Sequence, residues 1–543
     1  MGNALSSLGR AFKGIKIVIA VLKSLNAEYN ELLERCNVPP GLPVENPTES
    51  FWLENPPFPE LVDIKSPALP EEADIVIIGS GITGAAIARS ILHECRRKGV
   101  HRRVVVVEAR QLCSGATGRN GGHIKASPHE TFRTLSRLFS KERAAALCRF
   151  QLLHLSMLTG LCDAEGIDLA ECREVTTVDF AIDTETLGKA VDAAKEVKKW
   201  IPEFKFCVWR GEEARKVSHS SLLSTYILYS QEFKVNEHVV GAVQYSAGAL
   251  WPYRLVTSVW KKLLDEFPKS LSIETGTAVQ SISNSGPSDQ PYEVSTSRGV
   301  IRTRHVVHAT NAFASQLVPG LVGKITSMWS ICSAQRPGTE FPDLSGSQSW
   351  SILYKVGYDY ITQRPTVDGQ PGEIILGGGF AQSEKQGLNM IGAYDDSKLD
   401  PLSVAHLGGI FPTIFTSNWG ADAQGGRMKK VWSGIVGLTA DFMPLVGRLD
   451  HRLTGRKVKS VSSNALDQPG EWACAGYNGD GMVWAWLCGT AVGLMIMGSE
   501  NDDLPAAPGR PAGRLVDWFP KELYATYERV QQMDFADLAD MLM

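Results

Sequence analysis

Residues Asp74–Gly84 read DIVIIGSGITG, and the fold turns on this stretch. A continuous apolar run enters G-x-G-x-x-G, here Gly79, Gly81 and Gly84, and the segment AAIARSILHECRRKG that follows has helical character. Each glycine has a mechanical task in a dinucleotide fingerprint. Gly79 permits the tight turn, Gly81 lets the backbone approach a pyrophosphate, and Gly84 allows close helix–strand packing. Ile82 and Thr83 open the helix, whose free N–H groups and positive dipole end suit phosphates. A second strand, Arg103–Val107, ends in Glu108, followed by Ala109. That acid lies roughly two dozen residues past Gly84, near the spacing expected of a ribose-binding carboxylate, and it disfavours a 2′-phosphate. Strand, glycines, helix, strand and terminal acid in this order predict an α/β chain with a Rossmann-like dinucleotide-binding core.

Further along, strand-like pieces cover 175–182, 278–283, 292–297, 305–309, 358–363 and 373–376, and a helical stretch spans 130–165. Another amphipathic helix covers 187–200. The apolar run Met482–Met497 is too short to span a bilayer and reads as a buried helix. Residues 37–72 are proline-rich and read as an irregular lead-in packed along the surface through Phe51, Trp52 and Phe58. The chain has 543 residues, a net charge of −4, 43% hydrophobic and 21% charged residues, a soluble globular balance without the basic field that nucleic acid requires. Its ten cysteines form no C-x-x-C pair, so neither zinc nor any other metal site is expected and the thiols read as reduced and mostly buried. The first residues, MGNALSSLGRAFKGIKIVIAVLK, fit an N-myristoylation pattern through Gly2 and Ser6, with Arg10, Lys13, Lys16 and Lys23 as a weak basic supplement. This suits a cytoplasmic protein with peripheral membrane contact; a mitochondrial leader is the lesser alternative.

After Glu108 comes ARQLCSGATGRNGGHI. This segment resembles the loop of the D-amino-acid oxidase/glycine oxidase/sarcosine oxidase superfamily, near the gamma-glutamylputrescine oxidase branch, where G-A-S/T-G-R-N-G-G lies beneath the flavin of FAD. The matching residues are Gly115, Ala116, Thr117, Gly118, Arg119, Asn120, Gly121 and Gly122. Arg119 and Asn120 are then expected to donate to phosphate and carbonyl oxygens. His123 is a candidate to face the flavin or carry it covalently, against the plainer reading of a hydrogen-bonded loop histidine. The resemblance continues through GALWPYRL (248–255), Val279 near adenine, and VVHATNAFA (306–314) with Ala309 and Thr310 near the dinucleotide. It extends to YDYITQRPTVDGQPGEIILGGG (358–379), WSGIVGLTADFMPLVG (432–447) and GYNGDGM (476–482), whose Gly479, Asp480, Gly481 and Met482 would face the flavin pyrimidine. The proline arrangement and long leader resemble fungal members.

The resemblance implies a glutathione-reductase-type FAD domain (about 73–130, 240–325 and 430–498) interleaved with a mixed-sheet substrate domain (131–239 and 326–429). Residues 1–36 would be a leader and 499–543 a tail outside the fold. It implies oxidation of a C–N bond of an amine or amino acid, with O2 as acceptor; a membrane-associated dehydrogenase and a specialised-metabolite step are the alternatives. Tyr358, Tyr360 and Arg364 are the substrate-side candidates, Arg364 for a carboxylate. Trp432 and Tyr477 are candidate pocket walls. Lys355 is a candidate cation near flavin N5, against a solvated lysine.

Overall fold

A computed structural model describes residues 26–210, 235–287, 289–458 and 468–537. The myristoylation pattern and its neighbouring bases lie outside the described residues. Two sheets carry the fold. The first has eight strands. Its centre is β1 (Glu72–Ile78), flanked in parallel by β10 (Gly299–His308) and β2 (Val104–Val107). Beyond β2 runs β7 (Leu271–Glu274); beyond β10 run β17 (Gly470–Ala475) and β16 (Leu445–Arg448). The order is therefore β16-β17-β10-β1-β2-β7. A hairpin of β8 (Val279–Ser283) and β9 (Tyr292–Thr296) hangs from β10. Both faces of a parallel sheet are covered, so unbroken apolar runs such as Val104–Val107 are at home here. The helices Ile82–Lys98 and Ala485–Ile496 pack together on one face. Glycines set their close approach: a Cβ on Gly489 would lie 2.8 Å from the Thr83 carbonyl oxygen, and one on Gly493 2.4 Å from Ser90 Cβ.

The second sheet has nine strands. These are β3 (His123–Ile124), β4 (Arg173–Ala181), β5 (Phe206–Arg210), β6 (Gly241–Ala249) and β11 (Ile325–Gln335). The rest are β12 (Gln348–Leu353), β13 (Tyr358–Gln363), β14 (Ile374–Gly378) and β15 (Met428–Thr439). They run in the order β15-β11-β14-β13-β12-β4-β6-β3, with β5 paired to β6. The register aligns Trp432, Cys332, Gly377, Tyr360, Ser351 and Asp179 in one row across six strands. Paired residues share a face, so this row presents its side chains together.

The chain passes between the sheets repeatedly, as interleaved domains require, but at other boundaries than the sequence suggested. β3, β6 and β15 all belong to the second sheet, although each falls in a segment expected in the dinucleotide-binding part. The expected helix over 130–165 is two, Pro128–Leu138 and Lys141–Glu165; Ser140 adopts an extended conformation and its side chain caps the second by accepting from the Arg143 N–H. Residues 499–537 are no loose tail: Leu523, Val530, Met533 and Phe535 are buried, and the Ala525 N–H donates to Val446 of β16.

The lead-in departs furthest from expectation. Phe51 and Trp52 are buried rather than spread on the surface, and their rings pack with Trp251 at centroid distances of 5.4 and 5.1 Å. Trp52 Nε1 donates to the Asn120 carbonyl, and Trp251 Nε1 to the Trp52 carbonyl at 2.8 Å. Proline-rich composition indicates irregular backbone, but burial follows side-chain size and apolarity. Trp52→Ala is expected to lower the free energy of unfolding by about 3–5 kcal/mol, whereas Val300→Ala, at a half-exposed site, stays within about 0.5 kcal/mol; denaturant titration of both variants checks the contrast.

Candidate active site

A long cleft runs from the carboxyl end of β1 along the flank of the second sheet. Gly79 ends β1 with φ +108, a conformation side chains resist, and a Cβ there would lie 2.6 Å from the Ala309 carbonyl oxygen. A Cβ on Gly81 would meet Thr117 Oγ1 at 2.8 Å, and one on Gly84 the Gly79 oxygen at 2.1 Å. Gly79, Gly81, Ile82 and Thr83 line the cleft, while Gly84 sits behind it as helix–strand packing. Glu108 lines it too: its carboxylate accepts from Ser80 N and Oγ at 3.1 and 2.7 Å and from Arg110 N at 3.1 Å, which fixes its orientation. Ala109, Val279, Ala309 and Thr310 complete this end, and the buried Thr310 hydroxyl has no partner in the protein.

Gly115, Ala116, Thr117, Arg119 and Asn120 line the middle of the cleft. The roles expected of the two polar residues change. Arg119 is 3% exposed and donates to the Ser114 carbonyl at 3.0 Å, the Ser433 carbonyl at 2.8 Å and the Thr48 carbonyl at 2.7 Å. Burial brings its guanidinium down to about 10. Its donors therefore hold the loop to its surroundings and do not reach for phosphate. Asn120 donates to the Thr117 carbonyl at 3.0 Å and accepts from Gly122 N at 2.7 Å, shaping the same loop. Gly121 and Gly122 lie outside the lining and serve close contact: a Cβ on Gly121 would enter the Tyr360 ring at 2.2 Å. His123 likewise does not line the cleft. Its Nε2 lies 3.0 Å from Ser349 Oγ, and burial brings the imidazole down to about 3, so it is a neutral, hydrogen-bonded histidine.

At the far end Tyr360, Cys332, Tyr477, Gly479, Gly481 and Met482 line the cleft. Trp432 is not a wall: it is fully buried, and its Nε1 donates to the Arg119 carbonyl at 2.8 Å. Arg364 does not reach the cleft. It pairs with Glu171 at 2.6 Å and with Glu373, and its guanidinium lies 4.6 Å from the Trp251 ring centroid. Two neighbouring carboxylates and an aromatic face outcompeted the pocket for it. Lys355 is exposed, facing Glu185 at 3.7 Å.

Sequence reasoning missed a buried polar group on the same sheet face. Lys125 Nζ lies 2.5 Å from Asp179 Oδ1 and from Ser351 Oγ, and Tyr245 donates to Asp179 Oδ2 at 2.8 Å. Burial would raise Asp179, but Lys125 and His129 hold it well below the ordinary carboxylate range. Lys125 stands two residues past His123, so alternation along β3 was the available signal; its partner comes from a strand far along the chain. Also missed were Gly41, Leu42 and Pro43 of the lead-in, which line the dinucleotide end.

The cradle of glycines, the partnerless Thr310 hydroxyl, the oriented Glu108 and the N-terminus of the helix Ile82–Lys98 fit an adenine dinucleotide. The family model described as FAD dependent oxidoreductase (DAO) matches residues 74–493. The chain belongs to the DAO family of FAD-dependent oxidoreductases. Glycine oxidase from Geobacillus kaustophilus shares the fold with a TM-score of 0.55 at 17% identity, over 80% of this chain and 96% of that one. L-amino acid deaminase from Proteus vulgaris, lacking its specific insertion sequence, gives 0.58 at 15%, over 88% and 99%. L-proline dehydrogenase from P. horikoshii gives 0.54 at 20%, over 79% and 94%. One subunit of the anaerobic glycerol-3-phosphate dehydrogenase of Escherichia coli (strain K12) is 46% identical over 52 residues, which is 10% of this chain and 8% of that protein.

The cofactor of this DAO-family chain is FAD. Gly81→Val, which drives a branched side chain into Thr117, is expected to yield colourless protein. Glu108→Gln is expected to weaken FAD binding about tenfold to hundredfold, the worth of a charge-assisted hydrogen bond. Flavin absorbance after gel filtration and fluorescence titration of the apoprotein read the two effects.

Proposed function

We propose that the protein oxidises a C–N bond of a small amine or amino acid. The observation that carries the reading is the position of Tyr360. It lines the far end of the cleft while standing in register with Ser351 and Asp179, so the sheet face continues from the cleft into polar side chains. Similar solved structures are named for oxidising, deaminating or dehydrogenating amino acids, which supports the same chemical class.

FAD, when bound in this cleft, would supply two-electron redox chemistry, taking the hydride equivalent that leaves the substrate C–N bond and passing the electrons to O2 as hydrogen peroxide. The protein's part is placement and polarisation. The loop 115–122 is held by Arg119 and Asn120, so its small residues can lie along the cofactor. The turn Gly479–Met482, just before the helix Ala485–Ile496, lines the cleft and would hold the positive end of that helix dipole toward the bound cofactor. No Ser/His/Asp arrangement is required if the amine reaches the ring unprotonated.

His123 is bonded to Ser349 and does not line the cleft, so FAD is expected to leave with the supernatant on acid precipitation; flavin retained in the pellet would contradict a free, hydrogen-bonded histidine. With the holoenzyme in hand, an amine and amino-acid screen is expected to bleach the flavin anaerobically and to release peroxide in air. Bleaching without peroxide would replace O2 by another acceptor, and a flavin that no amine bleaches would remove C–N oxidation.

A further inference from the structure

Beyond the cleft, the sheet face that carries Tyr360 and Asp179 meets the helix Pro128–Leu138, whose His129 lies 3.3 Å from Asp179. Tyr358 lies two residues from Tyr360 on β13, on the same face, with ring centroids 6.4 Å apart. It is 47% exposed, yet surrounding protein pushes its phenol above the ordinary range. Glu130 shows the same combination: its side chain is 36% exposed, and its carboxyl is pushed up by burial and by Asp179. Groups both accessible and surrounded line a concavity rather than an outer surface. Asp480 adjoins it from the cofactor side, between Gly479 and Gly481 of the cleft, and its charge acts on Tyr358.

The charges here do not balance. Three carboxyls, on Asp179, Glu130 and Asp480, face one lysine and one imidazole, that of His129. Lys125 is engaged by Asp179 at 2.5 Å, and Tyr245 takes the other oxygen. Among the described residues the Glu130 and Asp480 side chains make no hydrogen bond, and Lys125 is the one lysine or arginine whose charge acts on either. Burial and Glu130 push Asp480 up to about 7, against the pull of Lys125. His129 supplies an independent observation. It is 2% exposed, neither ring nitrogen has a hydrogen-bond partner, and its Nε2 points between Asp179 at 3.3 Å and Glu130 at 3.8 Å. One imidazole set between two carboxylates stands nearer Asp179 and leaves Glu130, at 3.8 Å, without a hydrogen bond, while its own Nδ1 stays unpartnered. Meanwhile the arginines that could have received a substrate carboxylate, Arg119 and Arg364, are bound elsewhere in the protein.

We propose that this recess is the substrate's specificity site, and that it takes an amine carrying a second positive charge, with Glu130 and Asp480 receiving the distal ammonium and Tyr358 forming the aromatic wall along the linker. The proposal rests on the C–N oxidation reading for the reacting amine and adds the class of substrate. A zwitterionic amino acid would bring its carboxylate toward unpaired acids, a like-charge contact that costs affinity. A metal ion on His129, Glu130 and Asp179, whose ligand atoms lie within 4.8 Å of one another, would have to share Asp179 with the Lys125 ammonium.

The test uses the FAD holoenzyme with three probes of one chain length: 1,5-diaminopentane, pentylamine and 5-aminopentanoate. Anaerobic flavin bleaching gives rates, and perturbation of the flavin spectrum gives binding. The diamine is expected to exceed pentylamine about tenfold to hundredfold in kcat/KM, the worth of a charge-assisted contact, with 5-aminopentanoate the poorest. Glu130→Gln and, separately, Asp480→Asn should shrink the diamine-to-monoamine ratio, with folding checked by flavin content and melting temperature. A diamine that binds with charge selectivity but is not oxidised would keep the recess assignment and remove the C–N reading. Preference for 5-aminopentanoate, or a ratio unmoved by both variants, would overturn the proposal while leaving C–N oxidation intact. Tight binding of Mn2+ or Zn2+ that Glu130→Gln abolishes would overturn it in favour of a metal site.

Discussion

The carbonyl of Ala309 stands 2.6 Å from where a side chain on Gly79 would begin, and much of the molecule depends on that approach. It brings the ends of β1 and β10 together over the start of the helix Ile82–Lys98, and Gly84 lets that helix lie against the same turn. The dinucleotide site is therefore not an opening added to a finished sheet. It is the space that three glycines keep free where two parallel strands end and a helix begins. Larger residues would have to push the strands apart, and the helix N-terminus would lose its aim.

A second constraint joins the two sheets. Arg119 is buried between the lead-in at Thr48, the loop at Ser114 and β15 at Ser433, while Trp432 returns a hydrogen bond to its carbonyl. Trp52 secures the neighbouring Asn120 from below. A buried guanidinium needs acceptors on every side, and those acceptors come from three separate parts of the chain. The loop 115–122 is thus clamped from the side of the protein, and the proline-rich lead-in becomes part of the scaffold of the cleft.

The distribution of charge gives the site its character. Arginine is drawn into the structural pairs around Glu171, Glu373 and Asp396, whereas the sheet face beside Tyr360 gathers the carboxyls of Asp179, Glu130 and Asp480. The Lys125 ammonium there is held by Asp179, and among the described residues the Glu130 and Asp480 side chains make no hydrogen bond. Such an arrangement is unfavourable in isolation, and the proposed cationic ligand would relieve it.

The stretch 74–84 and the acid at Glu108 determined the dinucleotide half of this protein, because strand, turn, helix and acid are neighbours along the chain and their geometry is local. Six strand readings, from 175–182 to 373–376, also lie within a few residues of the observed strands, since period-two burial is written locally. The motif GATGRNGG placed the loop, but it could not say that Arg119 would turn into the protein. That depends on acceptors at Thr48 and Ser433, distant in sequence. Arg364 was in the right strand and on the wrong errand, because Glu171 and Glu373 were nearer than any ligand. Lys125, Glu130 and Asp179 were ordinary polar residues in the sequence. Only the pairing of β4 with β6 and β12, and the helix Pro128–Leu138 laid near them, brought their charges together. Backbone requirements act over a few residues and so are visible in one dimension; the electrostatics of a pocket is a sum over side chains that only the folded chain brings within range.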